Sequence, residues 1–200
     1  MANIVYTFEG QVYLNITNRC PCRCVFCIRQ NGDGLGSAET LWHHGDPTAE
    51  EVIAALREFD FTGYEEIVFC GYGEPLYALD TFLAACRVIR EELHLRIRLN
   101  TNGLADLIHG KKTVPLIAPY VDIVSISLNA PNATRYNEVT RPAYGEPAFE
   151  AMLQFARECK EAGLAVKFSV VDVIPTEEIE ACKTLAQSLG IPLRVREYVG

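Results

Sequence analysis

The sequence predicts an α/β fold, a partial (β/α)6 barrel of parallel strands with its helices on the outside. Three observations carry that expectation. Short apolar strands alternate with helical segments along the whole chain. The first barrel strand runs straight into a cluster of cysteines. Four later strands are apolar on one parity and polar on the other.

Taken in order, residues 4–8 and the Glu9-Gly10 turn supply a short hairpin strand. Residues 11–17 alternate as the first barrel strand and end at the cysteines. Thr48-Ala49-Glu50-Glu51 is a capping-box helix start, and Val52, Ala55, Leu56 and Phe59 share one helical face. Residues 67–70 form a short apolar strand, and Asp80 is placed to cap a helix carrying Phe82, Cys86, Ile89 and Leu93. Residues 95–100 are the next strand, followed by a weaker helical stretch over 104–118 and a β-branched strand over 121–128. A helix bearing Phe149, Met152, Leu153 and Ala156 stops at Gly163. A strand over 166–171 comes next, then a helix with Ile179, Cys182, Ala186 and Leu189 that ends at Gly190. Residues 193–198 supply the last strand.

Six strands separated by helical material give βα units with right-handed crossovers. An eight-unit barrel takes about 250 residues, so 200 residues fit six units. The parity pattern selects a barrel over a doubly wound sheet, whose strands are apolar on both faces. Ile97, Val124, Phe168 and Val195 belong to the apolar parity; Arg96, Ser125, Lys167 and Arg194 belong to the polar one. The polar parity then lines a lumen. The longest irregular stretch, residues 28–46, has a length that functional loops adopt.

The chain carries 18 Lys+Arg against 26 Asp+Glu, a net charge of −8, with 49% hydrophobic and 22% charged residues. These are values of a folded globular chain, expected as one domain over residues 1–200. The acidic balance speaks against general nucleic-acid or anionic-membrane affinity. No apolar run approaches a membrane span, and the first residues lack a signal-peptide pattern, so a cytoplasmic location is expected. Thiols stay reduced there. The eight cysteines therefore need a reason other than disulfides.

Four of them fall within Cys20-Pro21-Cys22-Arg23-Cys24-Val25-Phe26-Cys27. Cys20, Cys24 and Cys27 form Cys-x3-Cys-x2-Cys. Three thiolates on one tight loop can hold three irons of a cubane 4Fe–4S cluster and leave the fourth open to a ligand. A zinc or other iron–sulfur structural site that also uses Cys22 is the alternative. Cys70-Gly71-Tyr72-Gly73-Glu74-Pro75 follows the second barrel strand. Its glycines allow backbone carbonyls to approach a ligand, and Glu74 offers a charge-assisted acceptor to an ammonium group. Gly and Pro also make ordinary strand-to-helix turns. Asn100, Thr101 and Asn102 end the third barrel strand, Ser127 and Asn129 the fourth, and Val171 the fifth. Barrel enzymes build their sites at such carboxyl ends.

These segments, with Phe26 just before the third cysteine, resemble the radical S-adenosylmethionine (SAM) superfamily; Tyr72 is inserted between the glycines of its Gly-Gly-Glu-Pro motif. The resemblance covers essentially the whole chain and implies a TIM-like partial barrel, a 4Fe–4S cluster on Cys20, Cys24 and Cys27, and SAM chelating the open iron. It implies reductive cleavage of SAM to a 5′-deoxyadenosyl radical that abstracts hydrogen from a substrate, the hard chemistry lying with the cofactors. An electron donor such as flavodoxin or ferredoxin is implied as a partner. The methionine amine falls to Gly71, Gly73 and Glu74, with Pro75, Asn100, Thr101 and Asn102 in the same cofactor site. Ser127 and Asn129 would hold ribose or carboxylate, and Phe26 and Val171 would border adenine.

Residues 13–29 and 192–198 look like the TatD-associated radical SAM proteins, which makes a TatD-type hydrolase an expected partner. The short core also resembles glycyl-radical-activating enzymes and 7-carboxy-7-deazaguanine synthases. A non-catalytic Fe–S or zinc module partnering such a hydrolase is the reading of a different class. The glycine–glutamate turn speaks against it, since a scaffold needs no SAM pocket.

Cys22 is read as a bystander, and Cys70, Cys159 and Cys182 as packing residues. His43 and His44 are read as a surface pair. Arg96, Arg98, Lys167, Arg194 and Arg196 share the inner parity. Buried cations need counter-charges, so they are expected to select a substrate bearing carboxylate or phosphate, unless some pair with acids such as Asp172 or Glu197.

Overall fold

The computed structural model describes residues 2–198. The left-handed conformations of Glu9 (φ 48°) and Gly10 (φ 72°) make the tight turn that the twist of two antiparallel strands requires. That turn joins β1 (Val5–Phe8) to β2 (Gln11–Leu14), so the expected hairpin is present. β3 (Glu66–Phe69), β4 (Arg96–Thr101), β5 (Ile123–Ser127), β6 (Ala165–Val171) and β7 (Leu193–Arg196) follow in parallel and in chain order. β1 and β7 end the order without pairing to each other, so the sheet is not closed. This is the predicted partial barrel, with the hairpin added at one edge.

Helix α1 (Ala49–Glu58) begins at the expected capping box: Glu51 N donates to Thr48 Oγ1 at 3.2 Å and Thr48 N to Glu51 Oε2 at 2.7 Å. Asp80 is not a cap. It lies inside the first turn of α2 (Leu79–Val88), which is reached through a 3-10 turn, Pro75–Ala78, capped by Glu74. The stretch expected as one helix over 104–118 is split into α3 (Ala105–His109) and α4 (Val114–Ile117) by the left-handed Gly110. Helix α5 (Ala133–Thr140) has no apolar periodicity to announce it; Asn132 caps it and only Tyr136, Val139 and Thr140 are buried. α6 (Pro147–Glu161) and α7 (Thr176–Ser188) are the two expected from sequence. Among the described residues, no helix is long and apolar enough to cross a membrane.

The outer parity packs under the helices. Val12, Leu14, Ile67, Phe69, Ile97, Leu99, Val124, Ile126, Phe168 and Val170 are buried with Phe82, Met152 and Phe155 of α2 and α6. Cys86, Cys159 and Cys182 lie in this core, as expected of isolated cysteines. Val195 departs from the pattern. It is 41% exposed because β7 is an edge strand with no neighbour to extend the cover.

A second, smaller cluster of Tyr6, Ala38, Leu41 and Tyr72 ties residues 28–46 to the hairpin. The inserted Tyr72 is its centre: its hydroxyl donates to Gly32 O at 2.7 Å, and Trp42 packs against its ring. Tyr72→Phe removes that bond at the cost of about 1 kcal/mol. Hydrogen exchange should then quicken across residues 31–42 while the β3–β6 amides keep their protection.

Candidate active site

Beyond Leu14 the chain crosses directly over the turn that follows β3. Cys70 N donates to Leu14 O at 3.1 Å, Tyr72 N to Asn15 Oδ1 at 3.3 Å and Glu74 N to Arg19 O at 2.8 Å. The crossing leaves no room for side chains at the glycines. A Cβ on Gly71 would lie 2.1 Å from Asn15 Oδ1, and one on Gly73 2.3 Å from Thr17 O. The segment that delivers the cysteines therefore demands glycine at both positions, a cause additional to the ligand approach expected from sequence.

The crossing segment is held from behind. Asn15 Nδ2 donates to Leu41 O and lies 2.9 Å from His43 Nε2. Asp46 Oδ1 accepts from Thr17 Oγ1 at 2.8 Å, and its Oδ2 from Arg19 Nε at 2.6 Å. His43 is thus a half-buried buttress, with its pKa lowered by burial, and only His44 has the exposed placement expected of both. On the other side, Arg23 N donates to Thr140 O (3.0 Å), Val25 N to Val139 O (2.9 Å) and Ala143 N to Pro21 O (2.8 Å). The end of α5 therefore clamps the cysteine loop. Sequence reasoning missed this element, and the Asn132 cap was the one local signal for it.

Cys20, Cys24 and Cys27 are half-buried, whereas Cys22 is buried in the core. Contact with Cys20 and Cys24, together with burial, pushes the Cys22 thiol well above the ordinary thiol range. The same contact pulls Cys20 down to about 6, against the effect of burial, with Arg29 and Asn102 also favouring the thiolate. Asn102 Nδ2 lies 3.8 Å from Cys20 Sγ, and Arg29 Nε 3.4 Å from Cys27 Sγ. Soft sulfur donors surrounded by positive and N–H groups suit an iron–sulfur cluster. Among the described residues, no three His, Cys, Asp or Glu side chains converge on a single point.

Glu74 is buried beneath this loop. Its Oε1 accepts from Thr101 Oγ1 (2.7 Å) and Leu76 N (3.2 Å), and its Oε2 from Asn102 N (2.8 Å). Burial pushes its pKa up to about 7, reinforced by nearby Cys20 and opposed by those hydrogen bonds. A carboxylate has about four acceptor positions, so one direction remains for an ammonium donor. Thr101 is occupied with Glu74 and with Gly103 N (3.0 Å), so it positions Glu74 instead of facing a cofactor. Pro75 is buried at the start of the 3-10 turn.

Asn129, just past β5, has a buried Oδ1 with no donor among the described residues and a left-handed backbone, φ 57°. An orphaned buried acceptor in a strained conformation is a ligand signature. Ser127 is half-buried and in register with Ser169, and Asn100 with Ser125. Val171 is buried in register with Arg196, and Phe26 is half-buried against the core. The donor set and the orphaned acceptor fit a cluster with SAM beside it.

The five inner-parity cations divide. Arg96 is exposed at the amino end of β4 and reaches only Glu65, at 3.8 Å, so it stands outside the site. Arg98 forms an ion pair with Glu66 at 3.2 Å, and its Nη2 donates to Gln11 Oε1 at 2.5 Å. Lys167, Arg194 and Arg196 have no acid partner among the described residues. Asp172, expected as a partner, instead accepts from Tyr198 N. Burial, followed by Arg98 and Arg194, lowers the Lys167 pKa.

Residues 14–189 match the sequence profile of the radical SAM superfamily. The chain is 29% identical over 184 residues to a GTP 3',8-cyclase of Pelotomaculum thermopropionicum, covering 92% of this chain and 53% of that protein. It is 25% identical over 200 residues to the dual-specificity RNA methyltransferase RlmN of Halorhodospira halophila, covering 94% and 52%. The chain thus spans about half the length of these relatives. Streptococcus suis SuiB bound to S-adenosylmethionine shares the fold at a TM-score of 0.68 and 19% identity, over 94% of this chain and 40% of that one. The anSMEcpe structure with bound AdoMet also gives 0.68, at 16% identity, over 94% and 50%.

Gly73→Ala should destabilise the protein by about 3 kcal/mol or more, because backbone atoms cannot yield, and should abolish iron and sulfide uptake on anaerobic reconstitution. Gly32→Ala is the control. A Cβ there meets nothing within 4 Å, and both thermal midpoint and iron content should stay at the parent values.

Proposed function

The chain belongs to the radical SAM superfamily, and on that premise we propose that it abstracts hydrogen from a small substrate bearing phosphate or carboxylate. The observation that carries this reading is the trio of a half-buried Lys167 and exposed Arg194 and Arg196 on one parity of β6 and β7, with no acid within ion-pair distance among the described residues. When bound, the 4Fe–4S cluster and SAM supply a one-electron cleavage that yields a 5′-deoxyadenosyl radical.

The chain's own residues bind, orient and screen. Cys20, Cys24 and Cys27 would hold the cluster, while Cys22 stays in the core. Gly71 and Gly73 bring the turn close, and the last free acceptor direction of Glu74 would take the SAM ammonium. Asn129 Oδ1 would gain the donor it lacks from a ribose hydroxyl, with Ser127 beside it and Phe26 and Val171 against adenine. Asn100 and Asn102 complete the rim. The cations then draw an anionic substrate to the inner face, where Arg98, already paired, contributes rigidity more than charge. The GTP 3',8-cyclase relatives act on a nucleoside triphosphate, which agrees with an anion-binding face. The resemblance of residues 13–29 and 192–198 to TatD-associated proteins supports a working partnership with a TatD-type hydrolase, and a flavodoxin or ferredoxin would supply the electron.

Asn129→Ala should weaken SAM binding to the reconstituted protein about tenfold, the worth of one buried hydrogen bond, measured calorimetrically. Anaerobic reduction with SAM should release 5′-deoxyadenosine, and an intact cluster without that product would defeat the reading. Pyrophosphate serves as the anion probe: it should bind the parent and lose about tenfold affinity in Lys167→Met and in Arg194→Gln, with cluster content unchanged. Equal pyrophosphate affinity in all three would remove the substrate class.

A further inference from the structure

Beside the cysteine loop lies an open hollow of ≈ 470 Å³ lined by Arg23, Cys24, Val25, Cys27, Arg29 and Arg141. We propose that this hollow is the docking surface for an acidic one-electron carrier protein, a flavodoxin or ferredoxin. The proposal rests on the radical SAM reading and gives its electron donor a place on the surface.

Four observations support it. First, the lining holds three arginines and no acid, on a chain whose net charge is −8. Second, Arg23 and Arg141 are exposed and have no acid partner among the described residues. Their side-by-side placement is fixed by the backbone bond from Arg23 N to Thr140 O. Third, Arg29 is held between Cys27 Sγ and the Trp42 ring, 5.7 Å away, so its charge sits at the edge of the sulfur site. Fourth, Val25 between them is 46% exposed, the apolar centre that a protein contact uses.

The geometry also selects the occupant. Two of the three cluster-ligand residues form the wall of the hollow, while Lys167, Arg194 and Arg196 do not contribute to it. A partner seated there is therefore beside the cysteines that would hold the cluster. A compact acidic protein touches the local patch alone, whereas an extended polyanion also meets the acidic remainder of the surface. In the exchange the carrier is oxidised by one electron and the cluster reduced by one; no bond forms or breaks.

The test compares Arg23→Glu/Arg141→Glu with the parent, both carrying reconstituted cluster. The double variant should cleave SAM at the parent rate with dithionite. With reduced flavodoxin or ferredoxin at low salt its rate should fall about tenfold or more. Calorimetry with the same carriers should show a matching loss of affinity, and the parent's affinity should fall as salt screens the contact. Arg23→Gln/Arg141→Gln, which removes charge without reversing it, should lose about threefold and guards against misfolding of the first variant. Unchanged carrier affinity and rate would overturn the proposal, as would loss of the dithionite-driven reaction, which would assign the arginines to the SAM site. Failure of the parent to cleave SAM with dithionite would instead bring down the functional reading on which the proposal rests.

Discussion

The structure depends on one backbone crossing. Residues 15–19 pass over the turn at 71–74 closely enough that neither glycine tolerates a Cβ. This contact fixes the cysteine loop relative to β3, and Glu74 carries the constraint onward to the end of β4 through Thr101 and Asn102. The two motifs separated by some fifty positions in sequence are therefore one mechanical unit. Its polar atoms are buried and satisfied, which is the condition under which such a network confers a single geometry.

Charge is distributed by function within an acidic chain. About half of the cations stand in ion pairs, such as Arg57 with Glu92 and Arg135 with Glu178. Among the described residues, six cations without an ion pair lie in two places, Lys167, Arg194 and Arg196 on the inner sheet face and Arg23, Arg29 and Arg141 at the rim of the cysteine loop; Arg87, Lys111 and Lys160, also without one, lie elsewhere on the surface. On the proposals above, an anionic substrate would meet the first and an acidic electron carrier the second. The net charge of −8 describes neither.

Much of this was legible in the sequence. Strand order, the parity of the core, the hairpin and the cysteine spacing all depend on local pattern, which sequence carries directly. Long-range packing was not legible. Helix α5 has few apolar residues, and its clamp on the loop runs through backbone groups that no side-chain pattern marks. His43 read as surface because its partner, Asn15, is far away in sequence. The glycines were singled out in sequence for ligand approach; the crossing segment, a second demand for them, is visible only in three dimensions. Arg96 shares its parity with Arg98, yet its position at the strand's amino end takes it out of the site.

The central claim is that three cysteines hold the cluster and leave one iron for SAM, while Cys22 ligates none of it. Electron paramagnetic resonance of the reduced, reconstituted Cys22→Ser protein, before and after SAM addition, tests it most directly. The account predicts a 4Fe–4S signal at the parent intensity that shifts when SAM is added, while Cys20→Ser, Cys24→Ser and Cys27→Ser each lose it. Loss of the signal in Cys22→Ser, or a parent signal indifferent to SAM, would contradict the account.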